Sequence, residues 1–271
     1  MAVRIAVAGA AGRMGQRITA LACEDSELEL VAALEQAQTQ TLGVDAGELA
    51  GVGSLSIPVA DKTDATFDAL IDFTLPDGTM HWLEVCQTRN CAMVIGTTGH
   101  SPEQTERIRQ SSGSIPILMA PNMSVGVNVM LRVAEMLGRL LDPSYDVEIV
   151  EAHHRFKVDA PSGTALALRD AVAEGRTNAD GGGPSVVYGR HGETGARPLG
   201  EIGMHSMRIG DTVGEHTVSF GTLGETVTLG HVAHSRDTFV LGALRAAKWI
   251  AGRNAGLYSM RDVLFSNQPG V

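Results

Sequence analysis

The first 35 residues set five features in an order that few folds accommodate. Val3 to Ala8 is apolar enough for a buried strand, Gly9-Ala-Ala-Gly12-Arg-Met-Gly15 is a glycine turn, and Gln16 to Ala22 continues as a helix. Leu28 to Leu34 is a second strand, and Glu35 closes it. Glycine permits tight turns and close backbone approaches, so this turn can bring a helix start near whatever lies beyond the first strand. The unpaired N–H groups of a helix start attract an anion, and an acid after the second strand can accept from ribose hydroxyls. The spacing is G-x-x-G-x-x-G rather than the commoner G-x-G-x-x-G, and glycines alone say little. Strand, glycines, helix, strand and acid together favour a dinucleotide site over a packing turn.

The same alternation then repeats. Strands are expected at Asp68–Thr74, Ala92–Thr98 and Ile115–Ala120, with a helix over 79–88 whose Met80, Leu83 and Cys86 form an apolar stripe. Ser101-Pro-Glu-Gln104 opens another helix with an N-cap, a proline at the first position and a capping-box Gln. Repeated β-α units predict a doubly wound, Rossmann-type parallel sheet with ligands at the carboxyl ends of its strands. That edge holds Asp72-Phe-Thr74, Gly96-Thr-Thr98 and Ala120-Pro-Asn-Met123. The polar stretch 36–56 reads as a loop.

Charge and cysteines narrow the class. The chain carries 31 acidic against 21 basic residues, net −10, which argues against a nucleic-acid surface. No apolar run approaches the length of a membrane span, and Arg4 with the glycine turn marks the N-terminus as a strand rather than a signal peptide. Cys23, Cys86 and Cys91 lack metal-ligand spacing, so no metal site is expected; they read as buried thiols of a protein in a reducing cytoplasm.

After Met123 the pattern changes. An amphipathic helix is predicted over 125–141, and Tyr145–Val150 alternates as a half-buried strand. Then comes Glu151-Ala-His-His-Arg-Phe-Lys-Val-Asp-Ala-Pro-Ser-Gly-Thr-Ala165, which gathers cations in an acidic chain and ends on a helix start. Ser162 is the expected N-cap of a helix over 164–174, with Gly175 as its C′ residue. The unpaired N–H groups at Gly163-Thr164 suit a carboxylate, and His and Lys can exchange protons, so this is an anion site beside a proton donor. A flexible connection over 175–184 leads to strands at 185–189, 204–209, 215–222 and 225–232 without helices between them. These predict a smaller α+β domain with an open mixed sheet, helices on one face and solvent or a partner subunit on the other. A last helix over 238–252 can return to the first domain.

Gly9-Ala-Ala-Gly-Arg-Met-Gly15, Gly96-Thr-Thr-Gly99, Asn122-Met-Ser-Val-Gly-Val-Asn128 and above all Glu151–Thr164 resemble the motifs of the dihydrodipicolinate (4-hydroxy-tetrahydrodipicolinate) reductases of lysine and diaminopimelate synthesis. The resemblance spans nearly the whole chain. It implies reduction of a small dianionic heterocycle by NADH or NADPH in a cytoplasmic homotetramer, with no membrane or nucleic-acid partner. It implies a dinucleotide-binding domain of residues 1–124 and 234–271 and a substrate-binding and oligomerisation domain of 125–233. By motif position, His153 and Lys157 are the proton-donating pair, while His154, Ser162, Gly163 and Thr164, with Lys157, hold substrate carboxylates. Gly9, Ala10, Ala11, Gly12, Arg13, Met14, Glu35, Gly96, Thr97, Thr98, Ala120, Pro121, Asn122 and Met123 line the cofactor. Gln36 and Leu75 stand where the family often has Arg, which favours NADH over NADPH. Arg13 or Lys62 are the remaining cations that could reach a 2′-phosphate. Another Rossmann-fold dehydrogenase of amino-acid metabolism and a non-catalytic dinucleotide sensor are the alternatives.

Hydride transfer needs nicotinamide and substrate ring within a few ångströms, so joints near Met123 and His234 should close on ligand. Solution scattering should show compaction with cofactor plus a substrate analogue; unchanged dimensions would count against closure.

Overall fold

The computed structural model describes residues 1–176 and 183–266. Contacts divide the chain into two compact units, Met1–Val125 with the stretch from Asp237 onward, and Gly126–Arg236.

The first unit begins β1 (Val3–Ala8), α1 (Arg13–Cys23), β2 (Leu28–Leu34), α2 (Ala46–Ala50), β3 (Val59–Ala60) and β4 (Ala69–Asp72). It continues α3 (Pro76–Arg89), β5 (Ala92–Ile95), α4 (Pro102–Ser111) and β6 (Pro116–Met119). The second contains most of α5 (Val125–Leu140), then β7 (Asp146–His153), α6 (Gly163–Gly175), β8 (Val186–Tyr188), β9 (Ile202–Arg208), β10 (Gly214–Thr222) and β11 (Glu225–Ala233). The first unit is completed by α7 (Asp237–Ile250), β12 (Gly256–Tyr258) and α8 (Met260–Phe265).

The seven strands of the first unit lie in the order β12-β6-β5-β4-β1-β2-β3, and every pair is parallel. Successive side chains of a strand point to opposite faces, and both faces here are covered. Ile5 and Val7 face a core shared with Ile18 of α1 and Val240, Leu244 and Ile250 of α7. Ala6 and Ala8 face Trp82, Leu83 and Cys86 of α3 and Ile108 of α4. This is the expected doubly wound sheet, and its direction of winding reverses between β1 and β4.

The second unit holds the expected smaller mixed sheet, ordered β11-β10-β7-β9-β8, with β7, β8 and β9 parallel and β10 and β11 antiparallel to their neighbours. Val147, Ile149, Met204, Val218 and Phe220 pack against Met130 and Ala134 of α5 and Leu168 and Val172 of α6. On β11 alternate residues, among them Thr226 and Thr228, are exposed.

Several expectations are corrected. The 36–56 stretch is not all loop: Asp45 caps α2, accepting from Gly47, Glu48, Leu55, Ile57 and Ser54. Led by the Leu55 N–H, these bonds hold its carboxyl down to about 2. Cys23 is exposed at the end of α1, whereas Cys86 and Cys91 are buried. Strands β4, β5 and β6 stop two, three and one residues short of their predicted ends, leaving Phe73-Thr74, Gly96–Thr98 and Ala120 as loop. Most of the expected 175–184 connection lies outside the described residues.

Gly175 is not a C′ residue. It is the last residue of α6, with Arg176 as C-cap, and it is glycine because α5 passes too close for a side chain. A Cβ at Gly175 would lie 2.2 Å from the Glu135 carbonyl oxygen, and one at Gly138 would lie 2.7 Å from that of Val172. Backbone cannot swing aside as a long side chain can, so the clash must separate the helices. Gly175→Ala should therefore destabilise the second unit by about 1–3 kcal/mol, the usual cost of overpacking. Urea unfolding with a wild-type midpoint would show that the helices part freely.

Candidate active site

The candidate cofactor half lies at the carboxyl edge of the seven-stranded sheet. Gly9 has φ +79°, and a Cβ there would sit 2.5 Å from the Phe73 carbonyl oxygen; one at Gly15 would sit 2.1 Å from that of Gly9. Both positions need glycine for the turn to close. Gly9 and Ala10 donate to the Leu34 carbonyl, which ties the turn to β2. Gly12 is the N-cap of α1 and provides no side-chain acceptor, so the helix start keeps donors for an anion. Glu35 turns back to this loop, its Oε1 accepting from Ala11 N–H at 3.1 Å. A cavity of about 950 Å³ opens here, bordered by Gly9, Gly12, Glu35, Asp61, Thr74 and Gly78 among others. A glycine cradle, a helix start without a side-chain cap and a carboxylate at the β2 end fit a dinucleotide.

The remaining cofactor candidates divide. Ala10, Ala120 and Met123 are buried in the core, with Met14 packed against it, so their side chains serve packing. The Met123 carbonyl is also approached by α7, where a Cβ at Gly242 would lie 1.7 Å from it. Gly96 leaves room for the Phe73 ring, which a Cβ would meet at 2.3 Å. Asn122 Oδ1 accepts from Ser124 N–H at 2.9 Å, and Arg13, Thr98 and Pro121 are exposed. Arg13 does not border the cavity, and Lys62 borders a separate one with Val31 and Asp64.

Thr97 is spent on a buried acid that sequence reading placed on this edge without a partner. Asp72 is fully buried and accepts from the hydroxyls of Thr74 (2.6 Å), Thr79 (2.5 Å) and Thr97 (3.0 Å). Burial pushes its carboxyl up, against the pull of these hydroxyls. The Thr97 oxygen also accepts from Thr74 N–H at 2.9 Å, so one hydroxyl joins the loops after β4 and β5.

The candidate substrate half sits at the ends of β7, β9 and β10. Register places Glu151 beside Ser206 on one flank and His216 on the other, and His153 beside Arg208. His153 Nδ1 lies 2.5 Å from Glu151 Oε2, and its ring centroid is 5.2 Å from that of His216. Burial lowers the His153 pKa, Glu151 opposes that, and Lys157 and Arg208 add to the lowering. Burial likewise brings His216 to about 4, so this ring is neutral at pH 7. Lys157 Nζ pairs with Asp159 at 2.8 Å, and the Lys157 N–H donates to the His154 carbonyl. His154 Nδ1 is buried without a hydrogen-bond partner.

Ser162 caps α6 as expected, its Oγ accepting from Ala165 N–H at 3.2 Å and lying 3.1 Å from His216 Nε2. It is 2% exposed, so the hydroxyl serves the helix end rather than the space beyond it. Gly163 and Thr164 follow as the first helical residues, and a Cβ at Gly163 would meet nothing within 4 Å. His153, Lys157 and the α6 start are thus held on one short connection.

Sequence reading gave no role to Glu151, Arg208 or His216. Their signal is parity: Glu151 follows Val147 and Ile149 on the inward face of β7, and His216 precedes Val218 and Phe220 on that of β10. An acid in a core register demands a cation, and Arg208, in step with Ile202 and Met204, is on the adjacent strand.

Comparisons with known proteins identify the family. The family model described as dihydrodipicolinate reductase, N-terminus, matches residues 3–123, and that of the C-terminus matches 126–264. A 4-hydroxy-tetrahydrodipicolinate reductase of Alkalilimnicola ehrlichii is 49% identical, over 97% of this chain and 99% of its own. Among solved structures, a dipicolinate-bound dihydrodipicolinate reductase from Paenisporosarcina sp. TG-14 is 27% identical, with a TM-score of 0.75 over 97% of this chain and 100% of that one. A probable dehydrogenase from Thermotoga maritima, at 10% identity and a TM-score of 0.58 over 96% and 92%, shares the fold alone. Matched by both halves of the family model and by a full-length relative, the chain belongs to the dihydrodipicolinate reductase family.

Proposed function

We propose that the chain is an NAD(P)H-dependent oxidoreductase that reduces 4-hydroxy-tetrahydrodipicolinate to tetrahydrodipicolinate in lysine and diaminopimelate synthesis, and that the residues above divide the work. Apart from the family match, one observation carries this reading: a carboxylate-bonded His153, Lys157 and the start of α6 share one connection. The nicotinamide supplies a hydride. The protein must provide one proton, hold two carboxylates and let the 4-hydroxyl leave as water.

His153 and Lys157 are the proton donors in this reading. The N–H groups of Gly163 and Thr164, with His154 and Lys157, hold the carboxylates. Asp159, which pairs with Lys157, is half exposed and gives way to an incoming anion. Ser162 contributes by ending the helix correctly. The first unit binds the dinucleotide, with Gly9, Gly12 and Glu35 at its centre and backbone groups of Thr97, Ala120 and Met123 along its edge. The second binds substrate. A cytoplasmic homotetramer, assembled through the sheet face away from α5 and α6, completes the picture. No helix among the described residues is long and apolar enough to cross a membrane.

His153→Gln and Lys157→Ala should each lower kcat by on the order of 10²-fold in a coupled assay that follows nicotinamide absorbance. Near wild-type kcat in both would remove them from the chemistry.

Cofactor choice follows from charge. Glu35 and Asp61 both border the cavity, Gln36 is neutral, and neither Arg13 nor Lys62 borders it. A 2′-phosphate would meet carboxylates there with no Lys or Arg among the bordering residues to pair with, so NADH is preferred and NADPH remains usable. A charge-assisted phosphate contact contributes about 1.5–3 kcal/mol, roughly ten- to a hundred-fold in affinity. Gln36→Arg should shift kcat/KM toward NADPH, mainly through KM, because the phosphate is remote from the hydride. Parallel titrations decide it: a wild-type preference for NADPH would mean that another residue binds the phosphate.

A further inference from the structure

The Glu151 side chain is 1% exposed and gathers partners from three directions. Arg208 of the neighbouring strand donates to it twice, at 2.9 and 3.0 Å, and also to the Asp159 carbonyl. The Ser162 N–H, at the start of α6, donates at 3.1 Å. His153, two residues along its own strand, offers Nδ1 at 2.5 Å. Burial alone would push this carboxyl up, but the bonds from Arg208, His153 and Ser206 outweigh it and bring it down to about 2. At neutral pH it is therefore a carboxylate, an acceptor only. The hydrogen in the short contact belongs to His153 Nδ1.

That leaves His153 Nε2 as the nitrogen that gains and loses a proton. It faces Gly214, where even a Cβ would come within 3.1 Å. Glycine there keeps side-chain atoms off the reactive nitrogen. Around the ring, burial disfavours its cation most, and Lys157 on the connection and Arg208 on β9 add to this, while His216 on β10 stands edge-on as a neutral ring. Glu151 is the negative group that acts on it.

We propose that Glu151 is a positioning residue for the reduction: by accepting from Nδ1–H it fixes the tautomer and orientation of His153 and stabilises the imidazolium that carries the proton on Nε2. The inference rests on the reading of His153 as a proton donor. When Nε2–H gives its proton to the substrate carbon, His153 becomes neutral with Nδ1–H still bonded to Glu151, and solvent restores the proton. Glu151 itself exchanges none. Through Ser162 N–H the same carboxylate holds the anion-binding helix start in register with the donor.

The test combines variants with a measurement on the unaltered protein. In Glu151→Gln, kcat should fall on the order of 10²-fold while the NADH dissociation constant stays put. A general acid works protonated, so activity falls as pH rises through the His153 pKa. Without the carboxylate that limb should move to lower pH by about one unit or more. Glu151→Asp, which keeps the charge, should leave the limb near its wild-type position. The Glu151→Gln, His153→Gln double variant should be no slower than His153→Gln alone, because the amide oxygen can still accept from Ser162 N–H and the interaction lost runs through His153. Nitrogen-15 spectra of the wild-type protein should show neutral His153 protonated on Nδ1, a result that does not depend on any variant folding. A proton on Nε2, an unmoved pH limb in Glu151→Gln, or additive losses in the double variant would each overturn the inference while leaving His153 as the donor. Wild-type kcat in His153→Gln would instead overturn the reading of His153, and this inference with it.

Discussion

An ionised carboxylate taken out of water must be surrounded by donors, and the geometry of the substrate half follows from how Glu151 meets that demand. Its partners come from β7, β9 and the start of α6, so satisfying one side chain aligns a strand end, a neighbouring strand and a helix. Asp72 solves the same problem in the first unit with three threonine hydroxyls and no ion pair among the described residues. The outcomes differ as charge requires: cationic Arg208 helps to keep Glu151 far below its ordinary value, while neutral hydroxyls leave Asp72 raised by burial. One acid is tuned to remain charged beside a titrating ring. The other serves as a latch between two loops.

Much of the first unit was legible because its signals are local. Alternation of strands and helices, the glycines at 9, 12 and 15, the capping box at Ser101 and the acid at Glu35 each depend on residues close in sequence. The Ser162 cap and the clustering of His153, Lys157 and the α6 start were legible for the same reason. What escaped depends on contacts made by folding. The five residues of α2 carry too little periodicity to stand out, and their cap spends its carboxylate on Leu55 and Ile57, beyond the helix. β12 is a three-residue strand that exists only because β6 offers an edge. Gly175 invited a helix-ending interpretation, since nothing in its neighbourhood reveals that Glu135 approaches from another helix.

The candidate site shows the same division between position and role. Motif position led to loops at the carboxyl edge of the sheet, yet the side chains of Thr97 and Met123 are engaged by structural partners there. Ser162 is similar: a residue of the motif whose hydroxyl is engaged within the protein. Spacing tells which backbone lies at an edge. It does not tell which side chains have already been claimed by buried groups. Arg208 and His216 are the converse, reaching the site by strand pairing across more than fifty residues of chain, which no local motif encodes.

The chain order of the two units also bears on the route by which the molecule is made. The second unit is one continuous stretch, Gly126–Arg236, whereas the first needs α7 and β12 from beyond it. During synthesis from the N-terminus, β1 to β6 emerge with one face covered only in part, by α1, because Val240, Leu244 and Ile250 are not yet made. More than a hundred residues, enough to complete the mixed sheet and its two helices, leave the ribosome before that face can be closed. The interior of the dinucleotide-type unit is thus exposed longest during its own production, a window in which binding by chaperones or association between nascent chains competes with folding.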